Sequence, residues 1–258
     1  MGSDRPLDGR VAFVTGASAG IGEATAHALA ADGADVALVA RRGDALAEVA
    51  AGLEDDYGVE TLALPTDVRE YGAVVDAVEA TVDAFGGLDV VVNNAGTTGA
   101  SFDERVEELP VENFHRVMEV NVSGMYYATV AALPYLRESN GNLVFVGSSA
   151  GKLPRPGAPI YAASKWWTRG FALSIEAHAG QDGVGVTLVN PTAVRTQMWR
   201  DELDPGEAAE PEEVAAVIAF AARQASYTTL SEVDLYRRDL LGKFIPREID
   251  LDRGFELE

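Results

Sequence analysis

Tyr161 and Lys165 stand four residues apart in the run Tyr161-Ala162-Ala163-Ser164-Lys165. On a helix that spacing puts a phenol and an ammonium on one face, one turn from each other. A phenol with an ordinary pKa of about 10 exchanges protons poorly at pH 7. A neighbouring ammonium stabilises the phenolate, and each unit by which it lowers the pKa is worth ~1.4 kcal/mol. The pair is therefore suited to giving a proton to an oxygen or taking one from it. A second chemistry-bearing run lies near the start, Thr15-Gly16-Ala17-Ser18-Ala19-Gly20-Ile21-Gly22. Its glycines let the backbone turn tightly and approach a pyrophosphate, and a helix opening behind them points its positive end at that anion. A third is Arg41-Arg42. Where such a loop binds a dinucleotide with a free ribose hydroxyl, an acidic side chain follows the second strand. Here two guanidiniums stand in its place, and a planar fork of donors with a permanent charge suits a 2′-phosphate. The cofactor these residues point to is NADP(H), with Arg41 ahead of Arg42 as the phosphate partner.

The elements that must position these groups follow from periodicity. Short β-rich apolar runs are expected as strands over residues 11–14, 36–40, 61–64, 88–92, 143–147 and 184–189, with a last short one over 233–236. Helical patterns cover 21–31, 45–57, 73–85, 111–136, 157–181 and 211–223, the last opening with a proline and glutamates in its first turn. Leu88-Asp89-Val90-Val91-Val92 is nearly continuous in apolar character, as a strand buried on both faces requires. Alternation at this spacing predicts an α/β fold: a single-domain doubly wound (Rossmann) parallel sheet of about seven strands with helices on both faces, over residues 1–258. Residues 243–258 are charged and non-periodic and read as a C-terminal arm. The glycine run then lies between the first strand and the first helix, where phosphate binding needs it.

The three residues between Gly16 and Gly20, together with Tyr161 and Lys165, identify a resemblance to the short-chain dehydrogenases/reductases. The resemblance runs from about Leu7 to Thr196 and continues more loosely to the end. It implies hydride exchange between nicotinamide and a carbonyl/alcohol pair. It also implies roles for further residues. Asn121, Ser148, Tyr161 and Lys165 are similar to the family's tetrad. Tyr161 would be the acid/base, and Lys165 would tune it and hold the nicotinamide ribose. Ser148, thirteen residues before Tyr161, would hydrogen-bond the carbonyl oxygen, and Asn121 would support a water relay to Lys165. Ser149 is the alternative serine, facing the other way from the strand end. Asp67 would bond the adenine amino group with Val68 beside it, and Asn94-Ala95-Gly96 would form a small-residue turn under the cofactor. In Asn190-Pro191-Thr192-Ala193-Val194-Arg195-Thr196 the family's nicotinamide clamp is matched except that Thr192 replaces a glycine. Pro191, Val194 and Thr196 complete a cofactor set that includes Gly16, Ser18, Gly20, Ile21, Gly22, Arg41 and Arg42.

The substrate is less sharply marked. Residues 197–211 read as a lid offering Met198 and Trp199 as lining. Lys152 and Arg155 lie between Ser148 and Tyr161, either to hold a substrate carboxylate or as members of a salt-bridged loop. The stretch from Thr228 to Val233 is similar to the branch of the family that reduces 3-oxo acids and related small hydroxy acids. Two other readings stay open: a 3-oxoacyl-thioester reductase, which would need a cationic patch for its carrier, and a non-catalytic NADP-binding regulator, which would not need the matched tetrad. The resemblance also implies a homodimer or homotetramer formed through the helices over 111–136 and 157–181. Trp166 and Trp167 are expected in the core or at a subunit contact.

Charge narrows the partners. The chain has 41 acidic against 20 basic residues, a net −21, and its lysines are Lys152, Lys165 and Lys243. Such a field repels nucleic acid and anionic membranes. The excess is spread along the chain, so it coats a folded surface that salt would screen. This composition resembles that of proteins from salt-in halophilic archaea. There is no cysteine, which excludes disulfides and thiolate chemistry. His27, His115 and His178 have no metal-ligand spacing, so no metal is expected. The longest apolar run, 214–222, is too short to span a bilayer and the N-terminus has no apolar signal core. The expected location is the cytoplasm.

Overall fold

The computed structural model describes residues 5–99, 105–196, 208–224 and 228–238. Seven parallel strands form one sheet: β1 (Val11–Thr15), β2 (Asp35–Ala40), β3 (Thr61–Pro65), β4 (Val90–Asn93), β5 (Asn142–Val146), β6 (Gly185–Pro191) and β7 (Glu232–Leu235). Their order is β3-β2-β1-β4-β5-β6-β7. Strands are added outward from β1 to β3, then the chain crosses back to lay β4 on the other side of β1. In such sheets the crevice beyond the strands' carboxyl ends at that reversal is where ligands bind.

The pleat divides the side chains between two cores. Ala12 and Val14 of β1, Val90 and Val92 of β4, and Val144 and Val146 of β5 enter one apolar cluster; Val11, Phe13, Val91, Leu143 and Phe145 enter the other. The first is covered by α1 (Gly20–Ala31), α2 (Gly43–Tyr57) and α7 (Pro211–Ala222), through Leu29, Leu46, Leu53 and Ile218. The second is covered by α3 (Tyr71–Phe85), α5 (Met125–Ser139) and α6 (Pro159–Ala179), through Val78, Leu136 and Ala172. Phe13 and Phe145 are fully buried, each contributing on the order of 2–3 kcal/mol by removal of apolar surface from water.

The expected doubly wound architecture is the observed one, with element ends shifted by a few residues. The α7 start is as the sequence implies, with Pro211 in the first turn and a reciprocal capping box between Glu210 and Glu213. One helix differs. The single helix expected over 111–136 is α4 (Val111–Met118), then a π-helical turn over Glu119–Gly124, then α5. One widened turn does not disturb an apolar period enough to be read from sequence. At its end Gly124 presses on Val68, where a Cβ would come within 2.8 Å of Cγ2 and 3.0 Å of the carbonyl oxygen. The turn thus carries Asn121 while the helix lies against the loop that follows β3.

Residues 197–207, with Met198 and Trp199, and residues 243–258 lie outside the described residues. The two flanks of the first segment are tied by a parallel bridge between Val194 and Ala209, with Arg195 N–H donating to Ala209 O at 2.8 Å. Among the described residues no helix is long and apolar enough to cross a membrane.

Candidate active site

A groove of about 630 Å³ runs across the carboxyl ends of the strands. Its floor begins at the glycine run. Gly16 follows β1 at φ +70°, a conformation side-chain-bearing residues rarely hold. Gly22 does not line the groove; it sits behind, where a Cβ would stand 2.2 Å from Gly16 O. The Ala19 N-cap gives α1 no side-chain hydrogen bond, so the first amides of α1 are open to an anion. Thr15 stitches the floor together. Its hydroxyl accepts the N–H groups of Asn94 and Ala95, both at 3.0 Å, and donates to Val92 O at 3.2 Å. Asn94 Nδ2 in turn donates to Thr15 O at 2.9 Å.

At the β2 end, Ser18, Arg41 and Arg42 line the groove together. Arg42 Nη2 donates to Ser18 O at 3.0 Å and to Ser18 Oγ at 3.2 Å. Asp67 and Val68 follow β3 on the same side, Asn94, Ala95 and Gly96 lie in the middle, and Gly20, Ile21, Pro191, Val194 and Thr196 close the far wall. Thr192 keeps a negative φ, so its position makes no demand for glycine. Its backbone N–H donates to Leu235 O at 3.1 Å, and its hydroxyl donates to the same oxygen at 3.3 Å.

The proton-handling groups meet at the β5–α6 junction. Lys165 is buried, its Nζ 5.8 Å from the centre of the Tyr161 ring and donating to Val146 O at 2.9 Å. Ser148 Oγ accepts Ala150 N–H at 3.1 Å and lies near enough to the Tyr161 hydroxyl to favour its ionisation. Ser149 is turned away; it is buried off the groove and its Oγ accepts from Arg155 Nη2 at 2.8 Å. Asn121 does not line the groove either. Its Oδ1 accepts Thr97 N–H at 2.8 Å, and its Nδ2 donates to Thr97 O and to Ser164 Oγ, both at 2.9 Å. Ser164 Oγ donates to Tyr161 O at 2.7 Å, so Asn121 braces the start of α6 against the loop after β4.

Comparison with known proteins agrees with this geometry. Residues 10–206 match the family described as short chain dehydrogenase. A 2-dehydro-3-deoxy-L-rhamnonate dehydrogenase (NAD(+)) of Sphingomonas sp. (strain SKA58) is 32% identical over 88% of this chain and 93% of its own. The chain belongs to the short-chain dehydrogenase family. Two solved structures extend the likeness. One is an alcohol dehydrogenase from the archaeon Thermococcus sibiricus complexed with 5-hydroxy-NADP, with TM-score 0.80 and 32% identity over 88% of this chain and 95% of that one. The other is a 3-ketoacyl-(acyl-carrier-protein) reductase from Brucella melitensis complexed with NADH, with TM-score 0.80 and 31% identity over 89% and 97%. As a member of this family the protein is an oxidoreductase.

The electrostatics of this short-chain dehydrogenase set two opposed tendencies in the site. Burial raises the Tyr161 phenol above its ordinary value, while the Ser148 hydrogen bond and the Arg155 charge pull it down. Burial lowers the Lys165 ammonium to about 8. Near pH 7 the free enzyme holds a protonated phenol beside an ammonium that is costly to keep charged.

Several functional neighbours escape a reading of the sequence. Thr15 and Ser164 act through hydrogen bonds to other elements, which no local pattern announces. Lys152 is the salt-bridged residue of its two expected alternatives, 2.7 Å from Asp234 and 3.0 Å from Glu232. Arg169 Nε meets Glu232 at 2.8 Å, and Asn190 Nδ2 donates to Glu232 at 2.8 Å and Asp234 at 3.1 Å. The signal was faint: two carboxylates two apart on a strand face one side of it. Trp167 stacks on Phe171 at 4.6 Å, whereas Trp166 is exposed. His27 lies 3.4 Å from the Tyr57 hydroxyl, His115 packs edge-on to Phe114, and His178 lies 3.3 Å from Arg137. Among the described residues no three His, Asp or Glu could hold a metal.

Proposed function

We propose that this short-chain dehydrogenase uses NADP(H) to interconvert a small carbonyl compound and its secondary alcohol. The observation that carries the reaction is the convergence of Ser148, Tyr161 and Lys165 on one end of a groove whose other end is Ser18, Arg41 and Arg42. The groove suits a nucleotide. A Cβ at Gly16 would meet Asn94 Nδ2 at 2.8 Å, so this turn has no room for a side chain there, and the cations at the β2 end match a 2′-phosphate. When bound, the nicotinamide supplies or accepts the hydride.

The chain's own residues handle the proton. In reduction, Tyr161 gives its phenolic proton to the substrate oxygen, and the Lys165 ammonium stabilises the phenolate left behind. Ser148 accepts from Ala150 N–H, which leaves its own proton to be donated to the substrate oxygen. Asn121, through Thr97 and Ser164, holds Tyr161 in place; with its carboxamide bonded there, its part is positional. In oxidation the proton returns from the alcohol to the phenolate.

A 3-oxo acid/3-hydroxy acid pair is the substrate class we favour. The stretch from Thr228 to Val233 supports it. The acidic surface supports a salt-rich cytoplasm. Exposed Phe114, Tyr126, Val130 and Trp166 on α4, α5 and α6 support assembly into a homodimer or homotetramer, which light scattering tests. The deciding experiment mixes the protein in molar salt with NADPH or NADH and a panel of ketones, 3-oxo acids and 3-oxoacyl thioesters, beside a Tyr161→Phe variant. NADPH oxidation abolished by the variant is the expected result. Equal use of NADH would overturn the cofactor reading, and turnover by the variant would overturn the role of Tyr161.

A further inference from the structure

Asp67 brings a negative charge to the end of the groove where Arg41 and Arg42 stand. Left uncompensated, it would compete for Arg41 and repel any phosphate those arginines attract. Arg69, two residues on, grips it. The Arg69 backbone N–H donates to Asp67 Oδ1 at 3.1 Å, Nε lies 3.0 Å from both Oδ1 and Oδ2, and Nη2 donates to Oδ2 at 2.6 Å. A carboxylate offers about four acceptor sites, so these bonds, with the Nε–H shared between the two oxygens, fix its plane. The same guanidinium lies 3.7 Å from Glu119 on the π-helical turn. The hydrogen bonds and charge of Arg69, with a smaller contribution from Arg41, hold the Asp67 carboxyl below its usual range. Arg69 and Arg41 therefore both act on one anion, and both line the groove with it. A partly exposed pair this close in sequence adds little to stability, so a purely structural role gives it little to do.

We propose that Arg69 is a positioning and specificity-determining residue that fixes the Asp67 carboxylate and cancels its charge, so that this end of the groove admits a nucleotide bearing a 2′-phosphate. The inference rests on the NADP(H) reading above and deepens it. Arg41 and Arg42 attract the phosphate, and Arg69 removes what would repel it.

The test is calorimetric titration of the cofactor-free protein with 2′,5′-ADP and 5′-AMP, at the lowest salt at which the melting transition is intact. Neither probe carries nicotinamide, so the readout is independent of turnover. Wild type is expected to prefer 2′,5′-ADP. Arg69→Met is expected to weaken 2′,5′-ADP about tenfold and 5′-AMP by about threefold or less. Adding Asp67→Asn to that variant is expected to restore the wild-type preference, because no charge remains to be cancelled. Arg69→Lys keeps the charge and is expected to retain most of the preference, and it serves if the Met variant melts early. Equal losses for both probes, or an unchanged preference in the Met and Lys variants, would overturn the proposal alone. A wild type indifferent to the 2′-phosphate would overturn the cofactor reading and the proposal with it.

Discussion

At the glycine-loop end of the groove, β1 is joined to the end of β4 by the Thr15 hydroxyl and the Asn94 carboxamide, and to α1 by the close approach of Gly16 and Gly22. None of these contacts involves a formal charge. At the opposite edge, β7 is joined to the Ser148 turn by Lys152, to α6 by Arg169 and to β6 by Asn190, all converging on Glu232 and Asp234. The first region is held by shape, which neither pH nor salt alters and which tolerates no added volume. The second is held by charge, which tolerates a change of volume but responds to protonation and ionic strength. Tyr161 and Lys165 sit on α6, which the charged edge braces through Arg169.

The hardest blow to the shape-held end is Gly22→Ala. With a Cβ 2.2 Å from Gly16 O, the loop must open, and we expect a loss of NADPH affinity of about 100-fold or more with ~1–3 kcal/mol of stability. Fluorescence titration and melting measure both. Wild-type affinity in this variant would mean the loop is not shape-held.

Lys165→Met separates catalysis from stability. Turnover should fall by roughly 100-fold or more. The cofactor-free protein should nonetheless gain about 2 kcal/mol at pH 7, after loss of the hydrogen bond to Val146 O. The sign follows from the Lys165 pKa of about 8 against an ordinary 10.5. Between those values the unfolded chain binds more protons, so wild-type stability rises with pH through that window and the variant's advantage shrinks. Melting temperatures from pH 7 to 10.5 check it, and a constant gap would refute the buried-ammonium account.

The charged edge gives the opposite pH response. Arg169 first and then Lys152 hold the Glu232 carboxyl down at about 2 against an ordinary 4.5, with burial opposing them. Its contribution is complete above pH 4.5 and is lost as pH falls towards 2. Glu232→Gln should therefore cost about 1–2 kcal/mol at pH 7 and progressively less in acid, as read by urea unfolding. A penalty independent of pH would assign the loss to packing.

These two regions also differ in how far the amino-acid sequence discloses them. The glycine run, Arg41-Arg42 and the Tyr161–Lys165 pair are legible because the chemistry fixes residue type and spacing within a few positions, and β4 announces itself by the near-continuous apolar run over 88–92. The charged edge is not legible in that way. Lys152 meets Asp234 across 82 residues, so its alternatives could be separated only once β7 was seen beside β6. Asn121 shows the same limit at finer scale: its place in the chain is readable, but the π-helical turn that aims it at Thr97 and Ser164 is not. Arg69 lay in plain view two residues from Asp67, yet its importance depends on the nearness of Arg41, which is a fact of the fold.

Lys152→Met is the mildest probe and the one that tests salt. The side chain is partly exposed and its two carboxylate partners keep Arg169 and Asn190, so the cost should be only about 0.5–1 kcal/mol at low salt. Screening shortens the reach of the exposed part of the network, to a Debye length of about 3 Å at 1 M. The gap between wild type and variant should therefore narrow in molar salt, whereas the Gly22→Ala penalty should not. Lys152 also follows the Ser148–Gly151 turn, so its loss should lower kcat a few-fold through Ser148 while leaving the KM for NADPH unchanged, because the glycine-loop end shares no contact with it. A matched rise in that KM would show that the two ends of the groove are coupled, and that the division between shape and charge fails at the cofactor.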